Sequence, residues 1–340
     1  MELDTNLKNV ELHLHLDGAV RPQTLFELAR KRQIVIPYST VEELKQALLP
    51  APPYSLKNFL KGFPILLELV AGDREAIARI TTECVEDCAT RSGLCYVELR
   101  FSPHLLAGSK LSPDDVVVTV LDTSKQAGDQ HGVQVRLILC ILRSRPDTAD
   151  SVLELAVKYK RKGVVAIDLS GDDSVWLEDG IPIEVVNVFE RAKALGIHRT
   201  VHAGENSPAD AVLEAIERLH AERIGHGYSI VNNLKVFDFV RKNRIHLEVC
   251  PSSSWLTGAV IPGMAGSHPI CRFAADGFNF SVNTDAPLMT SKWLFDEFTF
   301  CMTSLGLTGA DLRRSRVNAA GAAFLDDEQQ RETLLRHVLG

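Results

Sequence analysis

The chain lacks several things whose absence narrows its function. No stretch of its 340 residues approaches the ~20 consecutive apolar residues of a membrane-spanning helix. Residues 1–9 are short and polar, so no secretory signal is visible and a cytoplasmic location is expected. Lysine and arginine number 37 against 44 acids, a net charge of −7 without long runs of one sign. A nucleic-acid surface needs a clustered basic patch, and so does an anionic lipid surface; neither partner is expected. Seven cysteines, Cys84, Cys88, Cys95, Cys140, Cys250, Cys271 and Cys301, stand in apolar contexts without a Cys-x-x-Cys hook. They read as reduced core thiols. No Gly-x-Gly-x-x-Gly follows a strand-like run, which excludes a dinucleotide site. The paired His-x-Glu and Pro-Cys-x-x-Cys pattern of cytidine-type zinc deaminases is also absent. With no repeat, low-complexity tract or linker, residues 1–340 read as one domain.

Eight short β-rich runs are present, at 10–15, 94–101, 133–141, 164–169, 198–202, 223–226, 245–250 and 278–283. Residues 113–129, 147–160, 183–195, 208–219 and 234–242 carry apolar residues at helical spacing. Ser112-Pro113-Asp114-Asp115 is a helix start, with a cap residue, proline at N1 and acids in the first turn. Alternation repeated eight times predicts an α/β fold with parallel strands, a (β/α)₈ TIM barrel. A doubly wound open sheet is the competing arrangement. About 75 residues between the first and second strands contain no strong strand. This helical insertion after strand 1 falls at the mouth of the barrel, and its amphipathic segment from Leu56 to Phe63 is a candidate lid. An extra helical layer on the barrel wall is the plainer alternative.

The chemistry begins with Val10-Glu11-Leu12-His13-Leu14-His15-Leu16-Asp17-Gly18. On a strand, i and i+2 share a side, so His13 and His15 project together. Taken alone, this is equally a strand with two hydrogen-bonded histidines. Three further clusters change the balance: His202-Ala203-Gly204-Glu205, Gly225-His226-Gly227 and Asn283-Thr284-Asp285, each at a predicted strand end. In a barrel all C-terminal strand ends converge on one mouth. His13, His15, His202 and Asp285 then form a three-imidazole, one-carboxylate set suited to Zn²⁺. An open position on such an ion acidifies water to a pKa of about 7. His226 is placed to hold or deprotonate that water, and Glu205 to pass a proton to the substrate. A carboxyl kept protonated by burial suits attack on an amine-bearing aromatic ring, whose nitrogen must be protonated first. The fourth strand ends with Asp168 and not with the lysine of two-metal barrel hydrolases, so one metal per chain is expected. His104 is a candidate for the mouth; His198 begins strand five and is expected to be structural. His131, His220, His246, His268 and His337 read as surface or packing residues.

These motifs resemble the adenosine deaminase family of the amidohydrolase superfamily over nearly the whole chain. The likeness extends through Tyr96-Val97-Glu98-Leu99-Arg100-Phe101-Ser102-Pro103-His104, Val164-Val165-Ala166-Ile167-Asp168-Leu169 and Leu256-Thr257-Gly258. The resemblance implies a purine nucleoside as the small-molecule substrate and zinc held by His13, His15, His202 and Asp285. It implies that Glu205 protonates purine N1 and that His226 orients or activates the attacking water. It also implies that Gly171 meets purine N3 through its backbone, that Asp17 binds the ribose 5′-hydroxyl, and that Leu56, Phe59, Leu60 and Phe63 cover the nucleoside. Asp168 and His15 are counted with the substrate contacts. A carboxylate at Asp17 would repel a 5′-phosphate. Oligomeric state is left open, a monomer being compatible with the sequence.

One position departs from the family pattern. Thr-Asp-Asp-Pro at strand eight is here Thr284-Asp285-Ala286-Pro287. In the family the second Asp hydrogen-bonds purine N7, and losing one buried hydrogen bond to a ligand costs roughly 1–3 kcal/mol. A deliberate change that slows turnover or traps a ligand, a natural variant with slower catalysis, and a different purine ring as substrate all fit. Deamination of adenosine is the leading expectation. Deamination of a modified or N6-substituted purine, or a catalytically weak purine-binding or interaction protein, are the alternatives.

Overall fold

A computed structural model describes residues 7–261 and 268–340. Residues 1–6, part of the segment read above as lacking a signal, lie outside the described residues. Eight parallel strands run in sequential order: β1 Asn9–His15, β2 Leu94–Phe101, β3 Gln134–Leu142, β4 Val164–Ser170, β5 His198–Ala203, β6 Arg223–His226, β7 His246–Val249 and β8 Phe280–Val282. Each follows the preceding strand through at least one helix, so the expected (β/α)₈ barrel is the observed one. The helix Pro113–His131 starts on the predicted cap: Ser112 and Asp115 close a reciprocal capping box.

The seam between β1 and β8 is made by one parallel bridge, Leu14 to Asp285. His15 N–H donates to the Asp285 carbonyl at 2.9 Å, and Asp285 N–H donates to the His13 carbonyl at 3.0 Å. Barrel closure itself therefore puts Asp285 between the two histidines. Strand eight ends at Val282, one residue earlier than the sequence suggested, and Asn283 still donates its N–H to the Val249 carbonyl of β7 at 2.8 Å. Its side-chain oxygen accepts the Leu12 N–H at 3.0 Å, in place of a backbone partner. The β1–β2 register shifts between Glu11 and Leu14, across His13, an irregularity common beside active sites.

The insertion is five helices: α1 Pro22–Lys31, α2 Val41–Leu48, α3 Leu56–Phe59, α4 Phe63–Val70 and α5 Arg74–Ser92. Ser55 caps α3 by accepting the Asn58 N–H, and a 3₁₀ turn at Leu60–Gly62 leads into α4. Pro64 occupies the first turn of α4, where its missing N–H does no harm, and it prevents one continuous helix.

A contiguous apolar cluster fills the space between strands and helices. The barrel interior is different. Glu98, Arg100, Asp168, Arg223 and Glu248 are all fully or almost fully buried there and joined by ion pairs. All seven cysteines are free thiols, five of them buried. His198 lies at the far end of the barrel between Glu222 and Asp326, stacked on Phe324, as its structural assignment required. No described helix is long and apolar enough to cross a membrane.

Candidate metal and proton-transfer site

His13, His15, His202, His226 and Asp285 meet at the C-terminal mouth. The ring of His13 lies 5.4 Å from that of His15, 4.6 Å from that of His202 and 4.9 Å from that of His226. His15 Nε2 faces His202 Nε2 at 3.2 Å, and Asp285 Oδ1 is 3.5 Å from Nε2 of both His13 and His15. A tetrahedral ion with bonds of about 2.0–2.1 Å has ligand atoms ~3.3–3.4 Å apart. The observed spacings match those edges. His13 Nε2 is buried with no protein hydrogen-bond partner, an orphan that a cation would satisfy.

Donor proximity alone also admits His226, and Cys250 beside it. The rings' other nitrogens set His13 and His202 apart from His15 and His226, which among the described residues have no carboxylate within hydrogen-bond distance of Nδ1. His13 Nδ1 is 2.7 Å from Glu248 and His202 Nδ1 is 3.0 Å from Asp168. A carboxylate only accepts, so each Nδ1 carries the hydrogen and each Nε2 presents a lone pair inward. His226 has no such carboxylate; its Nδ1 faces the Tyr228 hydroxyl at 3.5 Å. Its Nε2 instead lies 3.6 Å from Glu205 Oε2. Asp285 is fixed from behind by the Ser253 hydroxyl at 2.6 Å.

Local backbone serves the same end. His226 and Asp285 both adopt left-handed φ, +71° and +63°, which β-strand continuation would not permit. Such strain persists where surrounding structure over-determines it. At Gly225 an added Cβ would lie 2.9 Å from His13 Cε1, so glycine is what lets the ring sit there. Asp173 holds the loop after β5: its carboxylate accepts the N–H groups of Glu205, Asn206 and Ser207.

Burial raises the Glu205 carboxyl well above the usual range, and the charges of Asp173 and Asp285 push the same way. Burial lowers His226 well below the usual histidine value, with His13 adding to it. Against burial, the hydrogen bond and charge of His13 hold Asp285 well below the ordinary carboxylate range. Burial thus favours the protonated form of Glu205 and the neutral form of His226, side by side.

The pocket over these groups encloses about 60 Å³. His15, His202, Glu205, His226, Asp285 and Gly171 form its polar wall; Leu56, Phe59, Leu60 and Phe63 form its roof. A larger cleft of about 670 Å³ lies at the opposite end, around the starts of β3, β4 and β5. It has none of the donor set, so size does not mark the site.

A family profile described as adenosine deaminase matches residues 8–339. The chain belongs to the adenosine deaminase family. It is 41% identical to adenosine deaminase of Bos taurus over 341 residues, covering 97% of this chain and 93% of that one. The fold is similar to adenine deaminase of Arthrobacter aurescens, with TM-score 0.87, 25% identity and 98% of each chain covered. It is also similar to an Arabidopsis N6-mAMP deaminase, with TM-score 0.84, 25% identity and 98% of each chain covered.

Against this adenosine deaminase framework one assignment needs correction. Asp168 does not face the pocket as a substrate contact would. It is fully buried behind His202, with its second oxygen on Arg100 at 3.1 Å. Both of its oxygens face inward partners, and it is not among the residues lining the pocket. Asp17 is buried beside His15, 4.0 Å from its Nδ1, with Oδ1 unpartnered and its carboxyl pushed up to about 6 by burial. Ala286 forms part of the pocket wall and is almost wholly buried. His104 is half-buried on the helix Pro103–Ala107 and is not among the residues lining the pocket. Glu248, Arg100, Asp173 and Ser253 were not anticipated. For Arg100 and Glu248 the sequence signal was a lone charge within apolar surroundings, Leu99-Arg100-Phe101 and Leu247-Glu248-Val249; Asp173 and Ser253 stand in polar runs and carried none.

Proposed function

We propose that this protein hydrolytically deaminates adenosine and 2′-deoxyadenosine to the inosine products and ammonia. One zinc ion would be held by His13, His15, His202 and Asp285. The observation that carries the reading is the buried pair of Glu205 Oε2 and His226 Nε2, 3.6 Å apart, on the rim of that donor set under an apolar roof. The bound ion supplies Lewis acidity that brings the pKa of a water to about 7.

His226 Nε2 would take a proton from the attacking water and aim its oxygen at the ring. Glu205 gives its proton to ring nitrogen N1, which makes C6 electrophilic; its loss to the substrate leaves a carboxylate able to accept a proton again. The adduct's hydroxyl then passes its proton through the Glu205 carboxylate to the C6 amine; the C6–N bond breaks, ammonia leaves, C6 becomes a carbonyl, N1 keeps its proton, and the proton taken by His226 restores Glu205. The Gly171 backbone reads N3, and Asp17 takes the ribose 5′-hydroxyl. A carboxyl at that end disfavours a 5′-phosphate. Leu56, Phe59, Leu60 and Phe63 exclude water from the ring. We place the protein in the cytoplasm, in keeping with its unpaired thiols.

Ala286 supports a second reading, a purine with a different ring or an N6 substituent, since that wall offers no side-chain hydrogen bond. Incubating the zinc-loaded protein with a panel of adenosine, 2′-deoxyadenosine, adenine, AMP and N6-methyl purines decides between them. Ammonia release and loss of adenosine absorbance are expected with the first two. Turnover confined to N6-methyl purines selects the second reading, and no turnover of any purine rejects both.

A further inference from the structure

Two of the inward-facing imidazoles are not oriented independently. His13 leans on Glu248 of β7, and His202 leans on Asp168 of β4. Between these carboxylates lies one fully buried guanidinium, Arg100 of β2. Its Nη2 donates to Glu248 Oε2 at 2.7 Å, the same oxygen that His13 uses. Its Nη1 donates to Asp168 Oδ2 at 3.1 Å. Nη2 also grips the Leu12 carbonyl at 2.6 Å, one residue before His13.

We propose that Arg100 is a positioning residue that couples the two carboxylate–histidine pairs, so that His13 and His202 are aimed at the metal as one unit. This rests on the metal reading above. The fork of a guanidinium spans two carboxylates at fixed angles; a compact ammonium grips one. The two arms are unequal. Glu248 keeps Thr200 at 3.0 Å and Arg223 at 2.8 Å on its other oxygen. Asp168 Oδ2 has, apart from Arg100, a thiol contact from Cys140 at 3.7 Å. Losing Arg100 therefore frees the His202 arm more than the His13 arm.

The test compares Arg100→Lys, Arg100→Met and Asp168→Asn with the unaltered full chain, folding being verified by circular dichroism. Imidazole ¹⁵N shifts of the metal-free proteins report the tautomer of each ring. Zinc Kd is read by chelator competition. Both Arg100 variants are expected to lose the single Nδ1–H tautomer at His202 and to bind zinc 10–100-fold more weakly. Asp168→Asn added to Arg100→Met should cost much less than it does alone. Asp168→Asn by itself should alter the ring signals of His13, which it does not hydrogen-bond; this readout stands even if neither Arg100 variant folds. Ring signals and Kd within twofold of the unaltered chain in a folded Arg100 variant, or an undisturbed His13 in Asp168→Asn, would overturn the proposal. A merely structural arginine would lower the melting temperature and leave both readouts in place. If the unaltered chain holds both rings as Nδ1–H tautomers yet takes up no divalent ion, the metal reading fails and the coupling stands.

Discussion

In the proposed reaction Glu205 is useful only while it holds a proton, and its burial between acids favours the protonated form. Glu205→Gln keeps the shape and removes the proton donor. A loss of 10²–10⁴-fold in kcat, with zinc content unchanged, is expected from turnover assays and metal analysis. Its stability should move the other way. The folded state binds a proton that the unfolded chain releases above about pH 4.5, so stability falls as pH rises from there to the raised folded value. One extra bound proton gives a slope of about 1.4 kcal/mol per pH unit. Thermal melts of the metal-free proteins should show a flatter pH dependence for Glu205→Gln than for the parent. Equal slopes would mean that Glu205 titrates normally. Ala286 offers the converse experiment. Its methyl group lies on the pocket wall close to Gly18, where an added Cβ would meet it at 2.7 Å. Ala286→Asp restores a polar group there and should raise kcat/KM for adenosine tenfold or more, the size of one buried hydrogen bond. An unchanged kcat/KM would remove the hydrogen-bond account of this position.

Helices α3 and α4 and the turn between them supply the apolar roof of the pocket. A pocket of about 60 Å³ is far below the ~300–1,000 Å³ of ordinary ligand sites. Leu60 and Phe63 line it while remaining partly exposed, so they can be trimmed without opening the core. Each side chain should contribute about 1.5–3 kcal/mol of apolar contact when fully covered. Leu60→Ala or Phe63→Ala is expected to raise KM by about tenfold and change kcat less than threefold in steady-state assays. A large fall in kcat with constant KM would give these residues a role in the chemical step instead. The amphipathic run was legible in the sequence because helical spacing is local. Its division by the turn at Leu60–Gly62 was not, although Pro64 marks the place.

Across the whole molecule the donor set ties together β1, β5 and the segment after β8, whose seam is one bridge. Metal should therefore stabilise the barrel as well as activate it. Free zinc at about 1,000 times Kd adds roughly 4 kcal/mol to the folded state. Chelation should lower the melting temperature by several degrees and zinc should restore it, as calorimetry can show. An unchanged melt would mean that the ligands are not joined by an ion in solution.

The repeated strand–helix alternation, a helix cap and the side on which His13 and His15 stand were readable from the chain, because alternation, capping and side-chain parity are properties of neighbouring residues. Ser112 and Asp115 illustrate this: three positions apart, they met as expected. Asp168 illustrates the limit. Its place at a strand end suggested a substrate contact, yet its partners are Arg100, 68 residues away, and His202, 34 residues away. Glu248 was invisible for the same reason, its imidazole lying 235 residues away. A charge on an apolar strand announces that it will be paired, but closure of the barrel chooses the partner. That choice depends on register and shear summed over eight strands, and only the folded chain contains it.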